Sequence, residues 1–286
     1  MSLLRDRMMR DMERAGFAPR TRYMYILAVQ LLARFHGRSP GLLRATEIKA
    51  WDDDLLRRGL SPSTRHVYLA AVAFLYRKTL ARPEVVSFIV LPRRRRTFPV
   101  VLSTEEVRRL LAAFRVLRYR AFFSLIYDTG LRISEAAHLK AGDLDRDRGV
   151  IRVREGKGGK DRQVKLGKRL HELLRAYWRE ERMKGPHPEP LSKESFLFAS
   201  STGGPISIMG SRYALSLALK EAGITKRVTP HTLRHCFATA QMEAGTELPV
   251  VQAQLGHASI RSTQIYLHVS TRLILQAPSP LDALAP

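Results

Sequence analysis

The chain has 286 residues, and this length predicts either two domains or one large one, with enough residues to bury a hydrophobic core. Its 49 Lys and Arg against 26 Asp and Glu leave a net charge of +23, while 45% of the residues are hydrophobic. This composition excludes a disordered basic tail and a low-complexity chain. A charge of this size needs a compensating anion, and the dense phosphates of nucleic acid are the partner that we expect.

Cysteine content and hydropathy indicate the compartment. The single cysteine, Cys236, cannot form an internal disulfide, which fits a reducing environment. No apolar run approaches the ~18–20 residues that a membrane span needs, and charged residues interrupt the first ten positions where a signal peptide would be apolar. We therefore expect a cytoplasmic protein that is associated with the nucleoid.

The first 90 residues show a helical pattern and a dense positive charge. Residues 1–99 hold 20 Lys and Arg against 8 Asp and Glu. Apolar residues at helical spacing predict four helices: one that ends at Gly16, one over 19–35, one that Thr46 caps and one that Pro62 begins. This segment is expected to form a helical bundle.

A proline-bounded run, residues 92–99, follows the bundle and contains four adjacent arginines: Arg93, Arg94, Arg95 and Arg96. Two prolines and four like charges predict an extended linker. We expect the arginines to lie across DNA phosphates, and the alternative is a solvated hinge.

Beyond the linker the pattern is again helical, with one β-hairpin. Ser103 and Glu106 have the spacing of a capping box. Two alternating segments, 149–153 and 162–166, predict a hairpin with a lysine at its turn. The predicted helices cover about 103–114, 117–127, a short segment after Gly130, 168–183, 207–222, 231–244, 248–255 and 259–268.

Three short patterns fit known ion sites only in part. The segment 156–161 resembles a phosphate loop but has Asp161 where Ser or Thr would hold magnesium. The segment 143–154 begins like a calcium loop but lacks its glycine and its final glutamate. His231 and His235 have the spacing of a helical zinc site, without the glutamate or a third ligand. We therefore predict no bound metal.

Two other patterns point to an anion. Arg132, in Thr-Gly-Leu-Arg-Ile-Ser-Glu, stands where a helix begins, so its guanidinium and free backbone N–H groups can bind an anion. A structural ion pair with Glu135 is the alternative. His231 and Arg234, in His-Thr-Leu-Arg-His, are three residues apart and share a helix face.

Five blocks in a fixed order are specific in combination. Arg132 comes first, then Lys157 at the hairpin turn, His231 with Arg234, His257 in Leu-Gly-His, and Tyr266. In this order they closely resemble the tyrosine recombinases, also called the phage-integrase family, over residues 100–270.

This resemblance implies a role for each matching residue. Tyr266 would be the nucleophile, and Arg132 and Arg234 would clamp the phosphate. Lys157 would be the general acid, with Lys160 as its rival in the same loop. His231 and His257 would assist as helpers.

The resemblance also implies the architecture. We expect a mainly α fold with a small β-hairpin or sheet, arranged as a two-domain, C-shaped DNA clamp. Residues 1–91 would be a SAM-like core-binding domain, 92–99 a basic linker, 100–270 the catalytic domain and 271–286 a C-terminal tail. Apolar residues of the tail could dock on a neighbouring protomer; they are Leu273, Ile274, Leu275, Leu281 and Leu284.

The expected function is site-specific recombination or integration. The enzyme would cut and rejoin double-stranded DNA through a 3′-phosphotyrosine, without metal, ATP or another cofactor, as a tetramer on two paired sites or a dimer on one. The compact chain resembles Xer-type and mobile-element integrases more than the larger arm-binding ones. Two alternatives remain at this stage: a type IB topoisomerase and a catalytically silent DNA-binding module.

Overall fold

The computed structural model describes residues 3–93, 99–154, 161–182, 192–257 and 259–266. The chain divides into two compact units, which we call unit 1 (Met1–Thr97) and unit 2 (Phe98–Pro286). Within the described residues, no helix is both long enough and apolar enough to cross a membrane. The three linker arginines Arg94, Arg95 and Arg96 lie outside the described residues, whereas Arg93 is described and exposed.

Unit 1 is helical, as predicted. Its described residues form α1 (Leu3–Arg14), α2 (Pro19–His36), α3 (Ala45–Arg57) and α4 (Pro62–Phe74), and α4 continues into a π-helical turn, Leu75–Thr79. The apolar faces of these elements meet in one core together with residues of the segments that connect and follow them, including the 3₁₀ turn Pro83–Val86. The buried members of this core are Met8, Met12, Ile26, Leu32, Leu43, Ile48, Trp51, Leu55, Val72, Leu75, Tyr76, Val85 and Val86. The helical periodicity therefore identified a real bundle.

The prediction that Thr46 caps the third helix is wrong. Helix α3 begins at Ala45, so that Arg44 is the residue before it. The carboxylate of Glu47 accepts a hydrogen bond of 2.9 Å from the backbone N–H of Arg44. A side chain from the first turn thus satisfies a free N–H at this end of the helix, and Thr46 is not needed as a cap.

Unit 2 begins with three helices that carry the first part of the site. They are α5 (Thr104–Ala112), α6 (Leu117–Thr129) and the short α7 (Ile133–Ala137). The predicted capping box at the start of α5 is confirmed, because Ser103 Oγ accepts from the backbone of Glu106 and the carboxylate of Glu106 accepts from the backbone of Ser103.

A small antiparallel sheet follows. The predicted hairpin is confirmed as β2 (Val150–Val153) paired with β3 (Arg162–Lys165). A strand of two residues, β1 (Leu144–Asp145), adds to the other edge of β2. Strand β1 was not predicted, because two residues are too few to show an alternating pattern. The hairpin turn, residues 155–160, lies outside the described residues.

The rest of unit 2 is helical. The elements are α8 (Lys168–Tyr177) with a π-helical extension to Arg182, α9 (Ile208–Glu221), α10 (Pro230–Glu243), α11 (Leu248–Leu255) and α12 (Arg261–Gln264). Within the described residues α12 is shorter than the predicted 259–268, because Ile265 and Tyr266 form a turn. Cys236 packs in the core of the unit, as expected for a small buried hydrophobe.

Candidate active site

Arg132 stands at the junction of α6 and α7. Helix α6 ends at Thr129, and the residue that caps it, Gly130, has a φ of 65°. A Cβ on Gly130 would lie 2.4 Å from the ring of Phe237, so only glycine fits between this turn and α10. Arg132 then adopts an extended conformation as the N-cap of α7. The Thr-Gly-Leu-Arg pattern therefore brings the start of α7 directly against α10.

Glu135 is the electrostatic centre of the site. Its carboxylate accepts hydrogen bonds from the backbone N–H and Nη1 of Arg132, at 2.8 and 2.7 Å. Nη1 and Nη2 of Arg162, on β3, donate to its two oxygens at 3.0 and 2.7 Å. Nη1 of Arg234 lies 3.9 Å from Oε2. Three guanidinium groups thus surround one buried carboxylate.

This crowding determines the charge of Glu135. Burial by itself would raise its pKa, but hydrogen bonds from Arg162 and Arg132 outweigh burial and lower the pKa to about 2. Glu135 is therefore a carboxylate at neutral pH. The structural ion pair that the sequence left open for Arg132 does form, and it orients the guanidinium that the resemblance assigns to phosphate binding.

Arg234 is the most deeply buried charge of the site. The residue is 0% exposed, and its guanidinium donates to the carbonyl oxygens of Gly130 at 2.6 Å and Leu255 at 2.5 Å. Its buried Nε has no hydrogen-bond partner among the described residues. Burial and the nearby charge of Arg132 lower the pKa of Arg234 to about 10, so the group stays cationic at neutral pH.

Tyr266, which is buried, and His235, which is half-buried, form a hydrogen-bonded pair. The phenol is 1% exposed, and its Oη lies 2.8 Å from Nδ1 of His235. Burial raises the pKa of Tyr266 to about 12, although Arg234 acts in the opposite direction. The ring of Tyr266 packs in a small cluster whose other buried members are Phe237, Ala238, Met242, Val251 and Leu255.

The three histidines of the site are kept neutral. Loss of solvation by neighbouring protein atoms is the largest cause in each case, and the positive charge of Arg234 adds to it; His231 itself lies exposed at the surface, and His235 and His257 are half-buried. The pKa values of His235 and His257 fall to about 4, and that of His231 is also lowered. The ring of His231 packs edge to face on His235, with their centroids 4.7 Å apart.

His257 follows the end of α11. Gly256 ends this helix with a φ of 62°, and the side chain of Arg162 lies 3.1 Å from where its Cβ would be. Nδ1 of His257 pairs with the hydroxyl of Thr263 at 2.9 Å. The Leu-Gly-His pattern thus places Gly256 against Arg162 of β3 and His257 against Thr263 of α12.

A cavity of about 660 Å³ opens beside Arg132 and His231. Its other polar lining residues are Ser134, Arg212, Ser216 and Thr229. Guanidinium, imidazole and hydroxyl groups suit an anionic ligand. In the described parts of the chain, no group of three or more His, Cys, Asp or Glu could hold a metal ion.

Sequence reasoning selected most of this site and missed two residues. Arg132 and Arg234 both lie beside Glu135, and His231 contacts His235, which contacts Tyr266. His257 is near enough for the charge of Arg234 to lower its pKa. Lys157 and Lys160 lie outside the described residues. His235 was considered only for a metal site, and Arg162 only as a strand residue; these two were the residues missed. The position of His235 directly after Arg234, in His-Thr-Leu-Arg-His, was the one feature of the sequence that could have indicated it as a site residue. No sequence feature indicated Arg162.

Comparison with known families decides the identity. The model described as "Phage integrase family" matches residues 100–272, and that described as "Phage integrase, N-terminal SAM-like domain" matches residues 4–84. The chain belongs to the phage integrase family. The predicted tyrosine recombinase, an enzyme that breaks and rejoins DNA, is therefore confirmed, as is the mainly α fold with a small sheet.

Individual proteins that are similar to this tyrosine recombinase are also described as recombinases. It is 36% identical to the "Putative integrase/recombinase y4qK" of Sinorhizobium fredii, over 99% of this chain and 90% of that protein. It is 35% identical to the "Tyrosine recombinase XerC" of Bacillus pumilus, over 69% of this chain and 66% of that protein. The solved XerH site-specific recombinase bound to its difH substrate superposes with a TM-score of 0.67 and 25% identity, covering 85% of this chain and 74% of that chain.

Proposed function

We propose that this site-specific recombinase cuts one DNA strand by direct attack of Tyr266 on the phosphodiester. The observation that carries the proposal is the grouping of Arg132, Arg234 and Tyr266 in one site. The phenolic oxygen forms a bond to phosphorus, and the bond from phosphorus to the 5′ oxygen breaks. A 3′-phosphotyrosine ester stores the bond energy, so rejoining needs neither ATP nor a metal.

The charged residues have distinct roles in this step. Arg132 and Arg234 bind the non-bridging oxygens, where negative charge concentrates in the transition state. Lys157 gives a proton to the departing 5′ oxygen, and His231 and His257 assist from the rim of the site. The lowered pKa values of both histidines, described above, favour their neutral forms.

Cleavage requires the site to open. Arg234 is 0% exposed and Tyr266 is 1% exposed, so neither can touch a phosphate in this structure. DNA must therefore gain access to both groups before attack. We infer that the conformation described here is that of the enzyme before it engages its substrate.

The partner is double-stranded DNA, and four protomers act on two paired sites. The XerH relative is described as bound to its difH substrate, which supports DNA as the partner. Residues 1–91 form the core-binding domain, 92–99 the linker and 100–270 the catalytic domain. Residues 271–286 form a C-terminal tail, which lies outside the described residues. The compact catalytic domain favours a function like that of Xer-type recombinases or mobile-element integrases.

Covalent capture tests the proposal. Purified protein is incubated with fragmented genomic DNA, denatured with detergent, and the attached DNA is sequenced. We expect adducts at one recurrent sequence. Scattered adducts would indicate the relaxation activity of a topoisomerase instead, and salt-dependent binding without any adduct would indicate a silent DNA-binding module.

Replacement of Arg132 or Arg234 by lysine is expected to slow cleavage about 10²–10³-fold while DNA binding changes little. Lysine keeps the positive charge but loses the planar fork that contacts two oxygens at once. Single-turnover adduct formation and equilibrium binding are measured on the same duplex. Arg115→Lys is the control, because Arg115 is exposed and paired with Glu221 away from the site. Equal losses in cleavage and binding contradict this role.

Replacement of Arg93, Arg94, Arg95 and Arg96 by glutamine is expected to weaken binding to all DNA sequences alike. Each lost phosphate contact lowers the slope of log affinity against log salt by about 1. The control replaces Arg108 and Arg115, which exposed glutamates already pair. An unchanged slope would show that the run is only a hinge.

A further inference from the structure

The contact between His235 and Tyr266 has no role in the scheme above. Nδ1 of His235 lies 2.8 Å from Oη of Tyr266, which is an ordinary hydrogen-bond distance. Within the described part of the chain this is the one hydrogen bond to the phenolic oxygen. The residue that touches the attacking atom is thus neither His231 nor His257.

The direction of this hydrogen bond follows from the surroundings. Burial and the charge of Arg234 act on His235, as does the neighbouring ring of His231, and all three favour its neutral form. The phenol keeps its proton in the same buried position. The O–H group of Tyr266 therefore donates, and Nδ1 of His235 accepts with its lone pair.

The other two histidines are occupied differently. Nδ1 of His257 pairs with the hydroxyl of Thr263, 2.9 Å away. His231 lies one turn before His235 on α10, and its ring packs edge to face against the ring of His235. Their positions suit contacts to DNA or to the leaving group, whereas His235 alone has a nitrogen directed at the nucleophile.

We propose that His235 is the catalytic group that accepts the phenolic proton of Tyr266 during attack. The inference rests on the proposed function and completes its proton balance. As the bond from Oη to phosphorus forms, the O–H bond breaks and the proton moves to Nδ1. The electron pair of the broken bond to phosphorus leaves with the 5′ oxygen, which Lys157 protonates.

The same group serves in rejoining. When the 5′ hydroxyl attacks the phosphotyrosine, the phenolate leaves and Nδ1 returns the proton to it, so no net proton is consumed. The incoming phosphodiester is an anion, and it offsets the charge of Arg234 that disfavours an imidazolium at His235. Tyr266 packs with Phe237 and Ala238 of α10, so the pair stays together when DNA gains access to it.

The test separates proton acceptance from simple positioning. Oδ1 of asparagine occupies nearly the place of Nδ1 and accepts a hydrogen bond, but it does not take up a proton. We compare His235→Asn with wild type in single-turnover adduct formation on a duplex that carries the captured site. Cys236→Ala, on the same helix but packed in the main core, is the matched control.

We expect His235→Asn to form adducts about 10²-fold more slowly, with unchanged DNA binding and an unchanged melting temperature. His235→Ala is expected to be slow as well and to regain activity in part when imidazole is added. An Asn variant within threefold of the wild-type rate would overturn the proposal, because a hydrogen-bond acceptor would then suffice. An Ala variant that imidazole does not rescue also counts against it.

A modified substrate separates His235 from the general acid. Sulfur in place of the bridging 5′ oxygen makes a leaving group that needs no protonation. This substrate is expected to restore cleavage by Lys157→Ala but not by His235→Asn. Rescue of His235→Asn would assign His235 to the leaving group and overturn the proposal. A different result would contradict the proposed function itself, namely covalent adducts that still form in Tyr266→Phe.

Discussion

Replacement of Tyr266 by phenylalanine is expected to abolish every covalent protein–DNA adduct while equilibrium DNA binding stays close to that of the wild type. The change removes one oxygen atom, which is the proposed nucleophile, and leaves the ring in the cluster around Phe237 and Leu255. No other group then forms the ester that survives denaturation. The measurement is the capture assay, with the recombinase and the variant on the same DNA.

The variant must be shown to be folded. Loss of the hydroxyl leaves Nδ1 of the half-buried His235 without its partner, at a cost of about 1 kcal/mol in the free energy of unfolding. Binding is therefore measured well below the melting temperature of the variant. Adducts that persist in Tyr266→Phe, mapped by mass spectrometry to another residue, would refute the assignment of the nucleophile.

Replacement of Glu135 by alanine is expected to lower the free energy of unfolding by about 3–5 kcal/mol. The carboxylate is buried and accepts hydrogen bonds from Arg132 and Arg162, with Arg234 close by. Without it, three guanidinium groups face one another with no counter-charge. Chemical unfolding of the wild type and the variant measures the effect, and cleavage is expected to fall too because Arg132 loses its orientation.

An exposed ion pair supplies the comparison. Glu221 pairs with Arg115 at 3.1 Å, but both side chains are more than half exposed. Glu221→Ala is therefore expected to change the free energy of unfolding by less than ~1 kcal/mol. Similar losses in Glu221→Ala and Glu135→Ala would show that burial of the cluster is not the source of the effect.

The pH dependence of the free energy of unfolding in acid provides a second test of the cluster around Glu135. The pKa of Glu135 is about 2 in the folded protein, below its unfolded value of ~4.3. Its contribution is therefore complete above the unfolded pKa and is lost as the pH falls from about 4.3 towards 2. Glu135→Gln is expected to show a flatter loss of stability over this interval.

The sequence by itself determined most of the helices, the hairpin and the motif residues that identify the family. Helices α2, α4 and α10 each begin with a proline in the first turn, and their apolar residues recur at helical spacing, so both signals are local. The order of Arg132, His231, Arg234, His257 and Tyr266 identified the family, because each block is a short run of neighbouring residues.

Only the tertiary structure decided how those residues meet. Arg234 donates to the carbonyl oxygen of Gly130, and Arg162 to the carboxylate of Glu135, across separations of 104 and 27 residues. Contacts of this kind depend on how α6, α10 and β3 pack, and no local periodicity encodes them. The choice of His235 as the partner of Tyr266 has the same origin, because side-chain direction on a buried helix is set by the elements packed against it.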